Sequence, residues 1–469
     1  MADAGDLADE RRFAGVHAAG AGKVWLGVAS LCLVQFVDVL GVTVMVTALP
    51  AMLADLRASA DAAALISAGY AMTFGGLLML GARLGDRLGH RRAILGGLAA
   101  FALAAVVGAT ATGVVVLTLA RCLQGVAAAL SVPSALRLLT TITTAGPARE
   151  RAIAAWSASG AAAGASGFIV GGVMTYLVGW RAVFWAYLPL AALLAVAIGR
   201  ALPPDRVNDR SVRLSAPSVG AFAAAVMAFV VAMTLLPEPG RAALGAVLLV
   251  AALVLAGAFI VLDRRSAAPL LPRALLGERP LRQGAAGSLL NTLTTSSAIT
   301  LATLYLQNTQ GQSPLTAGLM LLPFSGAVIA GSALAAPAMA YWSTQRLVSA
   351  GLAIIAVSDA VLIPAATTRW ALPICVAVGG PGLGLSSVAA TKLGTSVPIA
   401  GRGAASGIIN TAAQLGTALG LAVLLLVASF TTGIPERRSP PPAIAWGIAA
   451  LISFTGAIIF GIKSRHRSS

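Results

Sequence analysis

The chain has 469 residues, 58% of them hydrophobic and only 10% charged, against about a quarter charged in an ordinary soluble domain. That composition excludes a water-soluble globular protein. The net charge of +16 resides in short arginine clusters between apolar runs, with no basic domain and no aromatic stacking platform, which excludes a nucleic-acid partner.

Residues 1–22 are polar, with Asp3, Asp6, Asp9 and Glu10 ahead of Arg11 and Arg12. This is unlike the basic start of a cleaved signal peptide and reads as a short disordered cytoplasmic tail. A spanning helix needs roughly 20 apolar residues, because the hydrocarbon core is about 30 Å thick and every backbone polar group must be satisfied inside the helix. Apolar runs set against charges, Pro and Gly predict fourteen spans. Six lie near 24–48, 62–84, 93–112, 114–140, 152–178 and 182–200, two near 216–236 and 242–262, and six near 284–307, 316–340, 346–366, 370–394, 404–430 and 442–462. The implied organisation is a 23–200 N-terminal bundle, a 201–283 two-helix insert with its linkers, a 284–462 C-terminal bundle and a 463–469 tail. Two six-helix halves joined on one side suit a transporter that rocks about a site at the membrane midplane.

The positive-inside rule tests the count, since one missed helix would put every later cluster on the wrong side. Arg83, Arg87, Arg91 and Arg92 fall after span 2, Arg149 and Arg151 after span 4, Arg206, Arg210 and Arg213 after span 6, and Arg264, Arg265 and Arg273 after span 8. Arg402 and the tail Lys463, Arg465 and Arg467 stay in phase. Arg57, Arg181, Arg241, Arg369, Arg437 and Arg438 fall opposite. Both termini are therefore expected in the cytoplasm. Lysine is scarce while Ala, Gly and Arg abound, the usage of a GC-rich bacterial genome, so the expected location is a bacterial inner membrane.

Three stretches carry chemistry. The first, Arg83-Leu84-Gly85-Asp86-Arg87-Leu88-Gly89-His90-Arg91-Arg92, joins spans 2 and 3: Gly89 permits a tight turn, Asp86 offers an acceptor to a helix N-terminus or a nearby Arg, and the cations favour the headgroups. A basic loop merely retained inside would use the cations alone. The second, Arg121-Cys122-Leu123-Gln124-Gly125, puts a cation in mid-span at an insertion cost of roughly 2.5–3.5 kcal/mol, so it must face the bundle interior and find a partner. Of the sixteen carboxylates, only Asp38 in span 1 and Asp359 in span 11 fall inside spans. Asp38 is the better partner, three residues after Gln35 on the same face. Asp359 either faces lipid near an interface or supplies a second cation site. The third stretch is the glycine series Gly160, Gly164, Gly167, Gly171 and Gly172 in span 5, which lets helices approach closely.

These stretches resemble the 14-helix drug:proton antiporters of the major facilitator superfamily over nearly the whole chain. The loop after span 2 is similar to the superfamily pattern G-x-L-A-D-R-x-G-R-R, with Ala82 at the first Gly, and Arg121 to Gly125 is similar to R-x-x-Q-G. Aligning Ala48-Leu49-Pro50 with the family's span 1 puts Gly41 at its Asp, so the acid stands one turn earlier, at Asp38. The family's G-x-x-x-G-P-x-x-G-G has Ala163 for its first Gly and Phe168 for its Pro. Further likeness lies in Trp180 to Phe184 with Pro189, in Tyr305-Leu306-Gln307 through Pro323, and in Gly403 to Gly407 with Asn410, Gln414 and Gly416.

The resemblance implies an all-helical major facilitator fold and export of a hydrophobic or amphipathic compound, such as an antibiotic, driven by protons. Gly85, Asp86, Arg87, Gly89, Arg91 and Arg92 would latch the cytoplasmic gate. Asp38 and Arg121 would couple the proton, Gln35, Gln124, Gln307, Asn410 and Gln414 would line the substrate cavity, and Gly164, Gly167, Gly171 and Gly172 would pack helices. An importer or facilitator of a metabolite on the same fold is the alternative. No ATP site is expected: Gly20-Ala21-Gly22-Lys23 has His17 where a phosphate loop needs Gly and Val24 where it needs Ser or Thr. No cofactor and no metal are expected, the cysteines Cys32, Cys122 and Cys375 lie far apart in apolar runs, and no nucleophile and base gather at one depth for an enzyme. The expected partners are the small-molecule substrate and the bilayer, with the chain a monomer.

Overall fold

The computed structural model describes residues 21–58, 62–144, 146–205, 215–236, 240–266, 269, 273–365, 370–398, 402–432 and 442–465. The expectations placed on the first twenty residues, on Arg206, Arg210, Arg213, Arg369, Arg437, Arg438 and on the tail beyond Arg465 lie outside these. Within them the chain is helical, and a helix stands at each expected span. The N-terminal set is α1 (Ala21–Asp55), α2 (Ala62–Leu88), α3 (His90–Ala109), α4 (Val114–Ile142), α5 (Pro147–Leu177) and α6 (Arg181–Ala201). Then come α7 (Ala216–Leu235) and α8 (Ala242–Arg265). After a short turn, Arg273–Leu276, follow α9 (Arg279–Leu304), α10 (Pro314–Ala338), α11 (Thr344–Ala365), α12 (Ala371–Gly394), α13 (Arg402–Thr432) and α14 (Ala443–Arg465).

Twelve of these helices are long and apolar enough to cross a bilayer, α7 and α9 falling short. For α7 the apolar stretch is short, Pro217–Met233. For α9 the reason is position. Its Ser288, Asn291, Thr294, Thr295, Ser297, Thr300 and Thr303 are all buried, so it meets protein on most sides and has no lipid to solvate. The donors find partners on neighbouring helices: Asn291 Nδ2 donates to Ser386 and Ser387 on α12, Thr292 to the Ala413 carbonyl on α13, and Ser453 on α14 to Thr294. In contrast α8 turns Leu244, Val247, Val250, Leu253 and Val254 outward, as a lipid-facing helix must.

Packing repeats between the halves. In the first, α2 packs on α4, α3 on α4 and α6, and α1 on α5; in the second, α10 packs on α12, α11 on α12 and α14, and α9 on α13. The halves meet along two seams related in the same way, α2 against α13 and α5 against α10. Close approach within each half depends on small residues. A Cβ on Gly81 of α2 would fall inside the backbone of Ala129 on α4, and one on Gly331 of α10 would fall against Pro381 on α12. The insert packs differently: α7 lies beside both α2 and α13, with Phe222 over Gly76.

This packing sets a contrast between two glycines of one half. Gly81→Val should force α2 and α4 apart at an overpacking cost of about 1–3 kcal/mol, whereas Gly96→Val, with open space at its Cβ, should be neutral. Thermal unfolding of the two purified variants in detergent checks the difference; equal midpoints would count against the packing described.

Candidate functional site: a cavity between the halves

A cavity of about 380 Å³ lies between the halves, within the range of drug-sized sites. Its N-terminal wall comes from α1, α2, α4 and α5, including Asp38, Tyr70, Arg121 and Phe168; its C-terminal wall comes from α9, α10, α12 and α13, including Ser296, Phe324 and Gln414. Asp38 and Arg121 are buried, 7% and 1% exposed, yet no ion pair joins them. Tyr70 stands between. Its hydroxyl donates to Asp38 Oδ1, and the Arg121 guanidinium lies over its ring, 4.6 Å from the centroid. Arg121 Nη1 donates to Gln124 Oε1 at 2.9 Å, one turn along α4. A buried cation is thus held by an aromatic face and a neutral amide. Tyr187, buried on α6 and edge-on to Phe101, brings its hydroxyl near Gly41, the position one turn beyond Asp38. The sequence reading missed Tyr70 and Tyr187; the only signal for either was a hydroxyl inside an apolar span.

The five amides expected around a substrate separate. Gln414 lines the cavity. The other four are not on its lining as the structure describes it. Gln124 is fully buried and engaged by Arg121. Gln35 lies against Gly160 of α5. Asn410 is exposed. Gln307, in a π-helical turn at Tyr305–Thr309, donates across the halves to the Thr47 carbonyl at 3.0 Å. Spacing along a helix gave the correct stripe, but one residue of register, or one turn of depth, moves an amide from lumen to seam. Glycines divide likewise. Gly167 and Gly171 press on Thr43, Val44 and Thr47 of α1, and Gly172 presses on Pro314 of α10, whereas Gly164 has only Val39 at 3.9 Å and lines the cavity. At the C-terminal end of α1, Asp55 accepts from Trp180 Nε1 and pairs with Arg181, and Arg181 also donates to the Ala111 carbonyl.

The turn from Arg83 to Arg92 lies at the opposite end from Gln307 and Pro314. Gly89 has φ of +100°, the left-handed region that suits glycine, and Gly85 makes room for His90 and Ser134. Asp86 corrects an expectation: it pairs with His90, Nε2 to Oδ1 3.1 Å, because one helical turn brings the two together. The N-terminus of α3 is instead met by Asp205 after α6, which accepts from the backbone N–H groups of Arg91 and Arg92 at 3.2 and 2.9 Å. Arg91 Nη2 returns to the Gly199 carbonyl of α6 at 2.8 Å. Arg83 donates to the Pro269 carbonyl, 2.6 Å, in the linker before α9. Arg87 and Arg92 both flank this turn on its exposed side. Asp359 lies in the interior of the C-terminal half, 2% exposed, which removes the lipid-facing alternative.

Residues 31–421 match the family model described as Major Facilitator Superfamily. The chain belongs to that superfamily. It is 32% identical to the puromycin resistance protein of Streptomyces alboniger over 93% of this chain and 88% of that one. It is 34% identical to the cephamycin export protein of Amycolatopsis lactamdurans over 87% and 85%, and 32% identical to the multidrug efflux pump LfrA of Mycolicibacterium smegmatis over 86% and 80%. Among solved structures, the nucleoside transporter NupG shares the fold with a TM-score of 0.67, 12% identity, and coverage of 93% of this chain and 99% of that one. Membership makes this a multi-pass membrane protein of a transporter family whose cargoes are small molecules and whose members are generally not enzymes.

Asp205 gives the turn a direct test. Asp205→Ala should leave the first amides of α3 without their acceptor, a loss of about 1 kcal/mol typical of a helix cap. Hydrogen exchange at Arg91 and Arg92 should rise about fivefold, and Asp86→Ala should leave those amides unchanged; the reverse pattern would return the capping role to Asp86.

Proposed function

We propose that this chain is a proton-coupled exporter of amphipathic drugs or antibiotics, embedded in a bacterial inner membrane as a monomer with both termini cytoplasmic. In this reading α7 and α9 also span, making fourteen transmembrane helices. The α9 hydroxyls need no lipid because protein surrounds them, and α7 rests on α2 and α13. The observation that carries the reading is a lumen-lining carboxylate, Asp38, bonded to Tyr70 beside Arg121, a buried arginine on the same cavity wall. The names of the relatives above support the cargo.

The physical cycle follows from charge. With Asp38 ionised, the wall bears one negative and one positive group that offset each other across Tyr70. Protonation removes the negative one and leaves Arg121 uncompensated, a change felt strongly in a poorly hydrated lumen. A cationic or dipolar cargo bound to the ionised form is then displaced by the proton, and the exchange needs no ATP or cofactor. In this orientation the contacts of Gln307 with Thr47 and of Gly172 with Pro314 lie toward the outer side, which supports loading from the cytoplasm. One charge moving through about 100 mV supplies roughly 2.3 kcal/mol, enough for a concentration ratio of roughly fifty.

Accumulation of puromycin, lincomycin and ethidium in drug-sensitive cells, with and without a protonophore, tests the reading. Expressing cells should accumulate less of at least one compound, and the protonophore should remove the difference. Asp38→Asn should abolish the protonophore-sensitive component. Tyr70→Phe deletes a bond to a charged group, worth roughly 1.5–3 kcal/mol, and should lower coupled efflux about tenfold or more while binding persists. Accumulation that rises on expression would reverse the direction, and full coupled efflux by Asp38→Asn would remove that residue from the mechanism.

A further inference from the structure

The two walls of the cavity differ in kind. Ionisable groups on the lining all belong to the N-terminal half, as Asp38, Tyr70 and Arg121, while the polar groups of the C-terminal half are neutral: Ser296, Thr300, Ser325, Gln414 and Thr417. Most are already engaged. Ser296 and Thr417 hydroxyls lie 3.3 Å apart across α9 and α13, Thr300 donates to the Ser296 carbonyl, and Ser325 reaches the Gly164 carbonyl at 3.4 Å. Gln414 is the exception. Its carboxamide makes no hydrogen bond among the described residues, and of the lining side chains it alone offers a donor and an acceptor on separate, coplanar atoms.

That carboxamide is also held in place from behind. A Cβ on Gly75 would run into Cβ of Gln414, so the α2 backbone lies against the root of the side chain. One turn earlier, Thr411 donates to the Gly75 carbonyl at 2.9 Å. The root is fixed by the α2 and α13 seam and the tip faces the lumen. Half-buried and unengaged, the amide is open to a ligand that can take the place of water on it.

We infer that Gln414 is the polar anchor for the exported compound and that it selects cargo bearing an amide, lactam or comparable paired donor and acceptor. This rests on the cavity being the cargo site. A trans secondary amide holds its N–H and carbonyl on opposite edges, so the carboxamide meets one edge, donating N–H to the cargo carbonyl or accepting from its N–H, while Phe168, Phe324 and Val328 cover the apolar remainder. The charged N-terminal wall drives exchange, and the C-terminal wall recognises cargo. A flat aromatic cation without an amide touches Phe168 and Phe324 and gains nothing from Gln414.

Equilibrium binding to the purified full-length protein, followed by calorimetry, separates these roles with puromycin and lincomycin as amide-bearing probes and ethidium as an amide-free cation. Gln414→Leu keeps Cβ and Cγ against Gly75 and removes the amide. It should raise Kd for puromycin and lincomycin about tenfold relative to its effect on ethidium. Gln414→Asn, which keeps the amide one methylene shorter, should return part of that loss for the same two and leave ethidium unchanged, a rescue that altered helix packing would not produce. Equal changes for all three ligands, or none, would overturn the anchor. If the wild type binds ethidium but neither amide compound, the cargo class is wrong while export stands; if the amide compounds bind as described but cells show no efflux, the transport reading fails and the anchor survives.

Discussion

A guanidinium inside a bilayer is tolerated only when the protein itself solvates it, and Arg121 sets that requirement for the N-terminal half. Its partners come from two helices. Gln124 one turn along α4 accepts from it, and the face of Tyr70 on α2 covers it. To bring Tyr70 that near, α2 and α4 must almost touch, which Gly81 and Gly125 allow by having no Cβ to collide with the opposing backbone. The same Tyr70 then commits its hydroxyl to Asp38, so the position of α1 is tied to the solvation of a cation two helices away. Asp38, Tyr70 and Arg121 thus link the packing of three helices, which is what the coupling role proposed for Asp38 requires.

The seams carry that change across the molecule. Because α2 meets α13 and α5 meets α10 in equivalent ways, each half can rotate on the other about an axis running through the cavity. The described contacts at the end of the seam away from the Gly89 turn are mostly made by backbone: Gly172 on Pro314, Gly318 on the Phe168 carbonyl, and Gln307 on the Thr47 carbonyl. Backbone contacts of this kind hold position without interlocking long side chains, so they can be made and broken with little repacking. The turn at Gly89 acts at the other end, where Asp205 ties α6 to α3 and Arg83 ties α2 to the linker before α9. It couples the N-terminal half to the covalent connection between the halves.

Much of this was legible in the sequence, for identifiable reasons. Helix positions followed from apolar length, and the arginine phase constrained their number. Asp38 and Arg121 stood out because charges in apolar spans are rare enough to be informative. Tyr70 did not, since a tyrosine among Ala and Met looks like ordinary core until its hydroxyl is seen to have a partner. Asp205 was hidden by the arginines that follow it, and by a role that depends on α6 ending beside α3. The amides were grouped together because sequence reports the type of side chain but not the rotation of its helix, and only Gln414 faces the lumen. α9 shows the converse limit: hydropathy measures contact with lipid, and a helix at the centre of the molecule has little.

Phe168 bears on direction. The resembling exporters have a proline there, which removes a backbone donor and bends a helix. In this chain α5 runs unbroken from Pro147 to Leu177, with no proline past its first turn. The position does two other things. The phenyl ring lines the cavity, and the carbonyl receives Gly318 so closely that a Cβ there would overlap it. A proline at 168 would retain the carbonyl but replace a broad aromatic surface with a small ring and remove the backbone N–H donor. The chain therefore has a contact surface on the lumen face of α5 where the resembling exporters have a proline, while across the seam it is α10 that carries prolines inside its helix, Pro323 and Pro337.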